Sequence, residues 1–538
     1  MNAYLYGYGP ERGRRWLLVD VGVTFAGAED PGVDVILPDL RFIEEQRQSL
    51  AAIVLTHAHE DHFGAVLDLW PRLKVPVYAT PFCAALLKAK ASENGIAVEL
   101  PLRIVPLKSR FKVGPFDVEL VSMTHSIPES NGLVIRTDAG RVFHTGDWKF
   151  ENNPTPQGGE TDIDAIKALA SEGLDAIVCD STNALRPGFS PGEVDVARTL
   201  VEIIKTARHR VVVTTFASNV ARIKTVADAA AAAGRELVVI GRAMHRVIRA
   251  AMETGYLPEG LKYLDQRDFG YLDRRHVVAL ATGSQGEPRA AIARIAEDTH
   301  PDVSLSEGDI VIFSSRNIPG NELAISRTQN GLAEIGCEII TDGDALVHAT
   351  GHPRREELKR MYGLCKPRAA IPMHGEPRHL EANEAIARGE GVREIVSARN
   401  GDVVRIAPGP AEIIDDVPVG RLHRDGRLVV PANEGPVRAR RKLAFSGIAV
   451  VSLVVSPRGE LLADPKVVLD GMPDLDADGE SLADQVLEAV GGALASIPKP
   501  QRKNSDTLQE AARRAARAAI ERAWGKKPIC KVILTRVS

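Results

Sequence analysis

Cysteine is scarce in this chain of 538 residues: Cys83, Cys179, Cys337, Cys365 and Cys530 are scattered, odd in number and never in C-x-x-C spacing. That excludes a zinc site built from paired thiolates and a disulfide framework, and it fits a reducing cytosol. Long apolar runs are missing as well. No stretch approaches the ~20 apolar residues of a membrane span, and Met1 to Trp16 is polar and arginine-rich, without the apolar centre of a secretion signal. The chain is therefore expected to be cytoplasmic, neither secreted nor anchored. Excess positive charge is also absent. With 67 basic against 71 acidic residues the net charge is −4, so any polyanion has to be met by a local basic groove. A hydrophobic share of 44% and a charged share of 26% are those of an ordinary globular protein, and this length calls for several cores.

What the chain does have is concentrated in Thr56-His57-Ala58-His59-Glu60-Asp61-His62-Phe63-Gly64. Imidazole nitrogen and carboxylate oxygen are ligands that borderline divalent ions accept, and open positions on such ions activate water. Ile53, Val54 and Leu55 end a buried strand, so His57 and His59 on its extended continuation point to the same side. Asp61 and His62 open a segment with Val66, Leu67 and Trp70 at helical spacing, where adjacent side chains diverge by about 100°. One pair can serve one ion and the next pair a second. Unpaired, this many polar groups against an apolar strand end would each cost a few kcal/mol if buried.

Along the chain, short apolar runs as far as Val178 repeatedly stop at ligand-type residues: Asp20 in the first, then His125, then Asp147. Loops at strand ends on a rigid sheet are where such folds place chemistry. From about Val196 to Tyr362 strand and helix alternate, which reads as an α/β domain with a parallel sheet. Ala369 to Pro372 is another core strand, ending at Met373-His374-Gly375-Glu376. Pro431 to Lys442, with Gly435, Pro436 and four basic residues, reads as a linker, and the rest as a small α+β unit.

These residues resemble the β-CASP nucleases of the metallo-β-lactamase superfamily, most closely the ribonuclease J family. Asp20 is similar to the superfamily's first motif, His57, His59, Asp61 and His62 to its second, His125 to its third and Asp147 to its fourth. Asp180 in Asp180-Ser181-Thr182-Asn183, His352 in His348-Ala349-Thr350-Gly351-His352 and His374 resemble the three β-CASP motifs, with Thr350 where the family often has serine. Gly283-Ser284-Gln285-Gly286-Glu287-Pro288 and Ile318-Pro319-Gly320-Asn321-Glu322 look like ribonuclease J in particular. The family has an extra strand and a glycine-rich turn before the position of Met1, so the chain is expected to start short, which puts the edge of its first sheet in doubt.

The resemblance implies an α/β fold: a metallo-β-lactamase αββα sandwich in residues 1–195 and 365–430, an inserted β-CASP domain in 196–364, a linker in 431–446 and an α+β domain in 447–538. It implies two divalent ions, zinc with manganese as the alternative. One would be held by His57, His59 and His125, the other by Asp61, His62 and His374, with Asp147 bridging and Asp20 supporting the ligands. His352 would be the general acid and Asp180 its orienting partner, and Asp61 counts with them as catalytic. Ser284, Gly286, Ser315, His348 and Thr350 would form a pocket for the RNA 5′ end, helped by a helix expected from Pro288. The implied activity is 5′ to 3′ removal of nucleotides from 5′-monophosphate ends, with internal cleavage besides. The implied partners are single-stranded RNA and further copies of the chain, as a homodimer or homotetramer through the C-terminal domain. A small-molecule hydrolase of the same superfamily and a catalytically silent RNA-binding scaffold are the competing readings. The first leaves His352 and the inserted domain without a purpose, and the second should have lost a ligand.

Overall fold

Two twisted sheets carry the polar strand ends. The first has the order Tyr4–Tyr8, Arg15–Val19, Leu50–Val54, Val77–Ala79, Leu102–Ile104; the second runs Glu394–Ile395, Ala369–Met373, Ala176–Asp180, Gly140–His144, Asn131–Thr137, Phe116–Ser122, Arg110–Val113. Leu17, Val19, Ala52 and Val54 of the first pack on Val118, Leu120, Leu133 and Ile135 of the second. The back of the second sheet is covered by Ile163–Glu172, Arg355–Cys365 and Pro377–Gly389, which bury Ile166, Leu358, Tyr362 and Ile386. Val66–Leu73 and Pro81–Glu93 bury Leu69, Leu73, Phe82 and Leu86 beside the first sheet. The computed structural model describes every residue except 28, 94, 96–99, 433, 434 and 538.

The edge of the first sheet is not open. Tyr4–Tyr8 lies antiparallel to Arg15–Val19, with Tyr4 opposite Val19. Tyr4, Tyr6 and Tyr8 alternate onto the inter-sheet core, a period-two pattern in a stretch that looked merely polar.

The inserted region forms a six-stranded, all-parallel sheet in the order Leu264–Asp265, Glu236–Ile240, Val277–Ala281, Val211–Thr214, Ile310–Phe313, Glu338–Ile340. Its strands are near-continuous apolar runs, as a sheet covered on both faces requires. The helix expected from Pro288 starts later and is short, Ala291–Ala296. Residues 287–290 are taken up by a turn in which the Ala290 N–H donates to the Glu287 carbonyl. A helix this short offers no useful dipole to an anion, so it does not help to bind a terminal phosphate.

The chain divides into two compact units, Met1–Thr24 with Leu37–Val419, and Phe25–Ile36 with Gly420–Ser538. In the second unit the strands Lys466–Asp470, Ile448–Val455 and Ile529–Arg536 form a mixed sheet, backed on one face by the helices Leu482–Ser496 and Ser505–Trp524. The segment 431–446, read as a linker, contains the helix Pro436–Ser446. Its Arg440 pairs with Asp425 and its Arg441 with Asp30, so the basic cluster is a docking face. Arg513 and Arg514 both pair with Glu510 on their own helix, which leaves less free charge there than the sequence suggested. All five cysteines are unpaired and buried, and among the described residues no helix is long and apolar enough to cross a membrane.

Candidate metal centre

Strand ends bring the site together. Asp20 follows Arg15–Val19, His57 and His59 follow Leu50–Val54, His125 follows Phe116–Ser122, and Asp147 follows Gly140–His144. Asp180 ends its strand beside Met373, one residue before His374. Asp61 and His62 come from the single turn Glu60–Phe63, and the His62 ring lies against that of His57, with centroids 4.1 Å apart. Two glycines allow the close approach. A Cβ on Gly22 would lie 1.7 Å from the Asp61 carbonyl, and one on Gly351 would lie 2.5 Å from the His125 ring.

Among the described residues three overlapping groups result: His57, His59, His125 and Asp147; Asp61, His62, Asp147 and His374; and Asp147, Asp180, His352 and His374, the ligand atoms of each lying within 4.8 Å of one another. Asp147 belongs to all three. Its Oδ2 is 3.2 Å from His62 Nε2, 3.5 Å from His374 Nε2, and 3.8 Å from both His57 Nε2 and His125 Nε2. Its other oxygen, Oδ1, is buried without a partner.

The outward-facing nitrogens are pinned, which fixes what the inner ones can do. His125 Nδ1 donates to the Gly351 carbonyl at 2.6 Å and His62 Nδ1 to Asp20 Oδ2 at 2.7 Å. Thr56 Oγ1 donates to Asp20 Oδ2 and accepts from His57 Nδ1 at 3.0 Å. Thr182 Oγ1 does the same between Asp180 Oδ1 and His374 Nδ1. The Nε2 atoms of His57, His62, His125 and His374 are therefore free as ligands.

His59 Nδ1 lies 3.1 Å from His57 Nε2 and 3.0 Å from His125 Nε2. Burial holds His125, His57 and His59 well down, His59 to about 4, so all three rings are neutral. A neutral His59 has one proton to share between these two acceptors, and a cation among the three nitrogens would be met by all of them at once. At His62 burial acts downward too, but Asp147, Asp61 and Asp20 outweigh it and raise its pKa. A cation at its Nε2 would take the place of that proton. The orphaned carboxylate oxygen and the N/O donor set both fit divalent metal.

His352 stands across from this set, on the loop before Arg355–Cys365. Its Nδ1 donates to Asp180 Oδ2 at 2.8 Å and lies 3.9 Å from Asp147 Oδ2. Burial would lower its pKa, but Asp180 and Asp147 prevail and push it up to about 9.

The pocket residues lie nearby. Ser284 and Ser315 are buried, and Gly286, at φ 73°, sits where a Cβ would collide with the Ala324 backbone at 2.4 Å. Gln285 Nε2 bridges toward Ser315 Oγ at 3.3 Å. Thr350 Oγ1 accepts from Asn183 Nδ2 at 2.9 Å, while both ring nitrogens of His348 are buried without a partner.

Sequence reasoning missed Asn2, whose amide lies 3.2 Å from Asp61 Oδ2 and 3.0 Å from His62 Nε2 with Tyr4 Oη donating to its Oδ1, and it missed Thr182 and Asn183 as supports. Thr182 and Asn183 stand beside Asp180 in a quoted string and were findable there; Asn2 carried no signal.

Comparisons with known proteins agree with this geometry. Residues 15–215 match the beta-lactamase superfamily domain, 208–332 the ribonuclease J beta-CASP domain, 344–396 the Zn-dependent metallo-hydrolase RNA specificity domain and 435–537 the ribonuclease J C-terminal domain. Ribonuclease J of Sinorhizobium meliloti is 51% identical over 100% of this chain and 95% of its own length. Ribonuclease J2 of Bacillus subtilis is 33% identical over 97% of this chain and 94% of its own. A crystal structure of a protein of unknown function from Enterococcus faecalis V583, 16% identical, covers 73% of this chain and 94% of that one at a TM-score of 0.50, which speaks for the fold alone. With the metallo-β-lactamase sandwich, the β-CASP insertion and the C-terminal domain all matched, and a full-length relative at half identity, this chain belongs to the ribonuclease J family.

Proposed function

We propose that the chain is a metal-dependent ribonuclease that works from the 5′ end of single-stranded RNA, prefers a 5′ monophosphate, and also cuts internally. The observation that carries this is the meeting of a ligand set shared through Asp147 with a protonated His352 on the facing loop. His57, His59 and His125 would hold one divalent ion and Asp61, His62 and His374 a second, with Asp147 between. Such ions supply an activated water and positive charge for the phosphoryl oxygens. Zinc is the first choice, given the histidine-rich donor set, with manganese the alternative.

The protein's own groups do the rest. Asp180 holds the His352 proton in place and, through Thr182, the His374 ring. With Nδ1 committed to Asp180, His352 gives the proton of its other ring nitrogen, Nε2, to the departing oxygen, and Asp20 fixes the His62 and Thr56 hydrogens so that the ligand atoms cannot rotate away. The terminal phosphate would lie against Ser284, Gly286, Ser315, His348 and Thr350, where the unpartnered His348 nitrogens support a ligand. Unpaired buried cysteines support a reducing cytoplasm as the place of action. Self-association would use the C-terminal domain.

The test compares one RNA sequence bearing a 5′ monophosphate, triphosphate or hydroxyl. Mononucleotides should be released fastest from the monophosphate, and Ser284→Ala should lose that preference by roughly tenfold or more, the worth of a charge-assisted hydrogen bond. Equal rates from all three ends with only internal cuts would leave a metal-dependent endonuclease.

A further inference from the structure

The residues that line the end pocket carry no positive charge. Ser284, Gly286, Ser315 and Thr350 are neutral by nature, and burial, then Arg222, hold His348 down to about 3, so its ring is uncharged at neutral pH. A phosphate monoester there carries close to two negative charges, and taking it out of water without a cation is strongly unfavourable. Arg222 is close but committed. Fully buried, it pairs with Glu193 at 2.9 Å and donates to the Ser314 and Val347 carbonyls.

Arg316 is placed differently. It follows Ser315 directly, and its carbonyl accepts from Gln285 Nε2 at 2.8 Å, in the loop of Ser284 and Gly286. Its guanidinium donates to Asn183 Oδ1, and the Nδ2 of that buried amide lies 2.9 Å from Thr350 Oγ1. One side chain thus separates the charge from the pocket hydroxyl. Asn183 is neutral, so the guanidinium keeps its charge and most of its five N–H donors. The backbone brings two more arginines close: Arg354 bridges backbone to backbone with Asn183, and the Arg186 carbonyl accepts from the N–H of the next residue, Arg355, at 3.0 Å. The Nε of Arg354 is buried without a partner. Burial first, then the charges of Arg186 and Arg354, push the Arg316 pKa down against the opposing effect of Asp342, and Arg316 in turn depresses His348. Like charges gathered this way are relieved by an anion.

We propose that Arg316, flanked by Arg354 and Arg186, is the cationic partner of the RNA 5′ phosphate and sets the preference for a monophosphate over a hydroxyl end. The proposal rests on the 5′-end reading above. It adds the charge that the neutral pocket lacks.

The experiment measures kcat and KM on one RNA with a 5′ monophosphate or a 5′ hydroxyl for the full chain, Arg316→Gln and Arg316→Lys. Arg316→Gln should raise KM on the monophosphate about tenfold to a hundredfold, leaving kcat and the hydroxyl substrate within about twofold. Arg316→Lys should recover part of the loss, since lysine returns the charge without the planar fork. Calorimetry with a nucleoside 5′-monophosphate should show the same order of affinities. Wild-type end preference in Arg316→Gln would overturn the proposal and leave the 5′-end reading standing. Equal loss on both substrates, with no recovery by lysine, would make the arginine structural and overturn it too. A wild-type protein that treats both ends alike would defeat the 5′-end reading, and this proposal with it.

Discussion

Nδ1 of His352 lies 2.8 Å from Oδ2 of Asp180, and the Asp180 carboxylate is wholly buried. Its other oxygen takes hydrogen bonds from the Thr182 backbone at 2.9 Å and hydroxyl at 2.7 Å. Thr182 also meets His374 Nδ1, so one carboxylate orients both the proposed proton donor and the ring of a proposed metal ligand. His352→Ala should keep its bound metal and lose about 10² to 10⁴ in turnover, the usual worth of general acid catalysis. Metal analysis beside single-turnover RNA cleavage checks this. Cleavage at the wild-type rate would remove His352 from the mechanism.

Gly351 ties the facing loop to the metal ligands. Its carbonyl takes the His125 Nδ1 proton, and a Cβ there would enter the His125 ring. Gly351→Ala should weaken metal binding by about 10- to 100-fold, the usual effect of losing an outer partner of a ligating histidine. Asp147→Ala, which deletes the shared ligand, should go further and leave protein that neither retains metal through dialysis nor cleaves RNA when metal is restored. Equilibrium titration with zinc and with manganese measures both. Chelation of the wild-type protein should abolish cleavage reversibly.

The candidate site residues were legible because each announces itself locally. His57 to His62 form one string, and Asp20, His125, Asp147, Asp180 and His374 each end or follow an apolar run, as strand ends do. Asn2, the support of Asp61, lies 59 residues from its partner and no local pattern marks it, whereas Asn183, 167 residues from Thr350, at least stands beside Asp180 in the chain. The helix Pro436–Ser446 was misread for another reason. Gly435-Pro436 looks like a break, yet proline in the first turn of a helix is a start signal, and the charges after it find Asp425 and Asp30 only in the fold.

The inserted domain should depend on the buried Glu193–Arg222 pair. Burial raises the Glu193 pKa, but Arg222 outweighs it and holds the carboxyl below its ordinary value. That stabilisation is present above the usual glutamate pKa and is lost as pH falls through the depressed one. Arg222→Met leaves a buried charge alone and should cost about 3 to 5 kcal/mol. Thermal unfolding should show an early transition. The double change with Glu193→Gln should recover part of the loss, and equal midpoints for the single and double variants would show that the charge pairing contributes nothing.

The sheet of the second unit offers a face for the proposed self-association. The helices Leu482–Ser496 and Ser505–Trp524 cover the face bearing Ala449, Val451, Leu453 and Val455. The opposite face presents Val450 and Val454, with Val468 opposite Val450 and Ile533 opposite Ser452. Val468 is 64% and Ile533 56% exposed, an apolar pair on a strand-built surface that gains by being covered. A glutamate at each position would have to be desolvated to form that contact, whereas neither substitution touches the helix-covered core or the metal ligands. Val468→Glu with Ile533→Glu should therefore sediment as a monomer where the wild type sediments as a dimer or tetramer, with metal content unchanged. An unaltered mass would mean that association, if present, uses another surface.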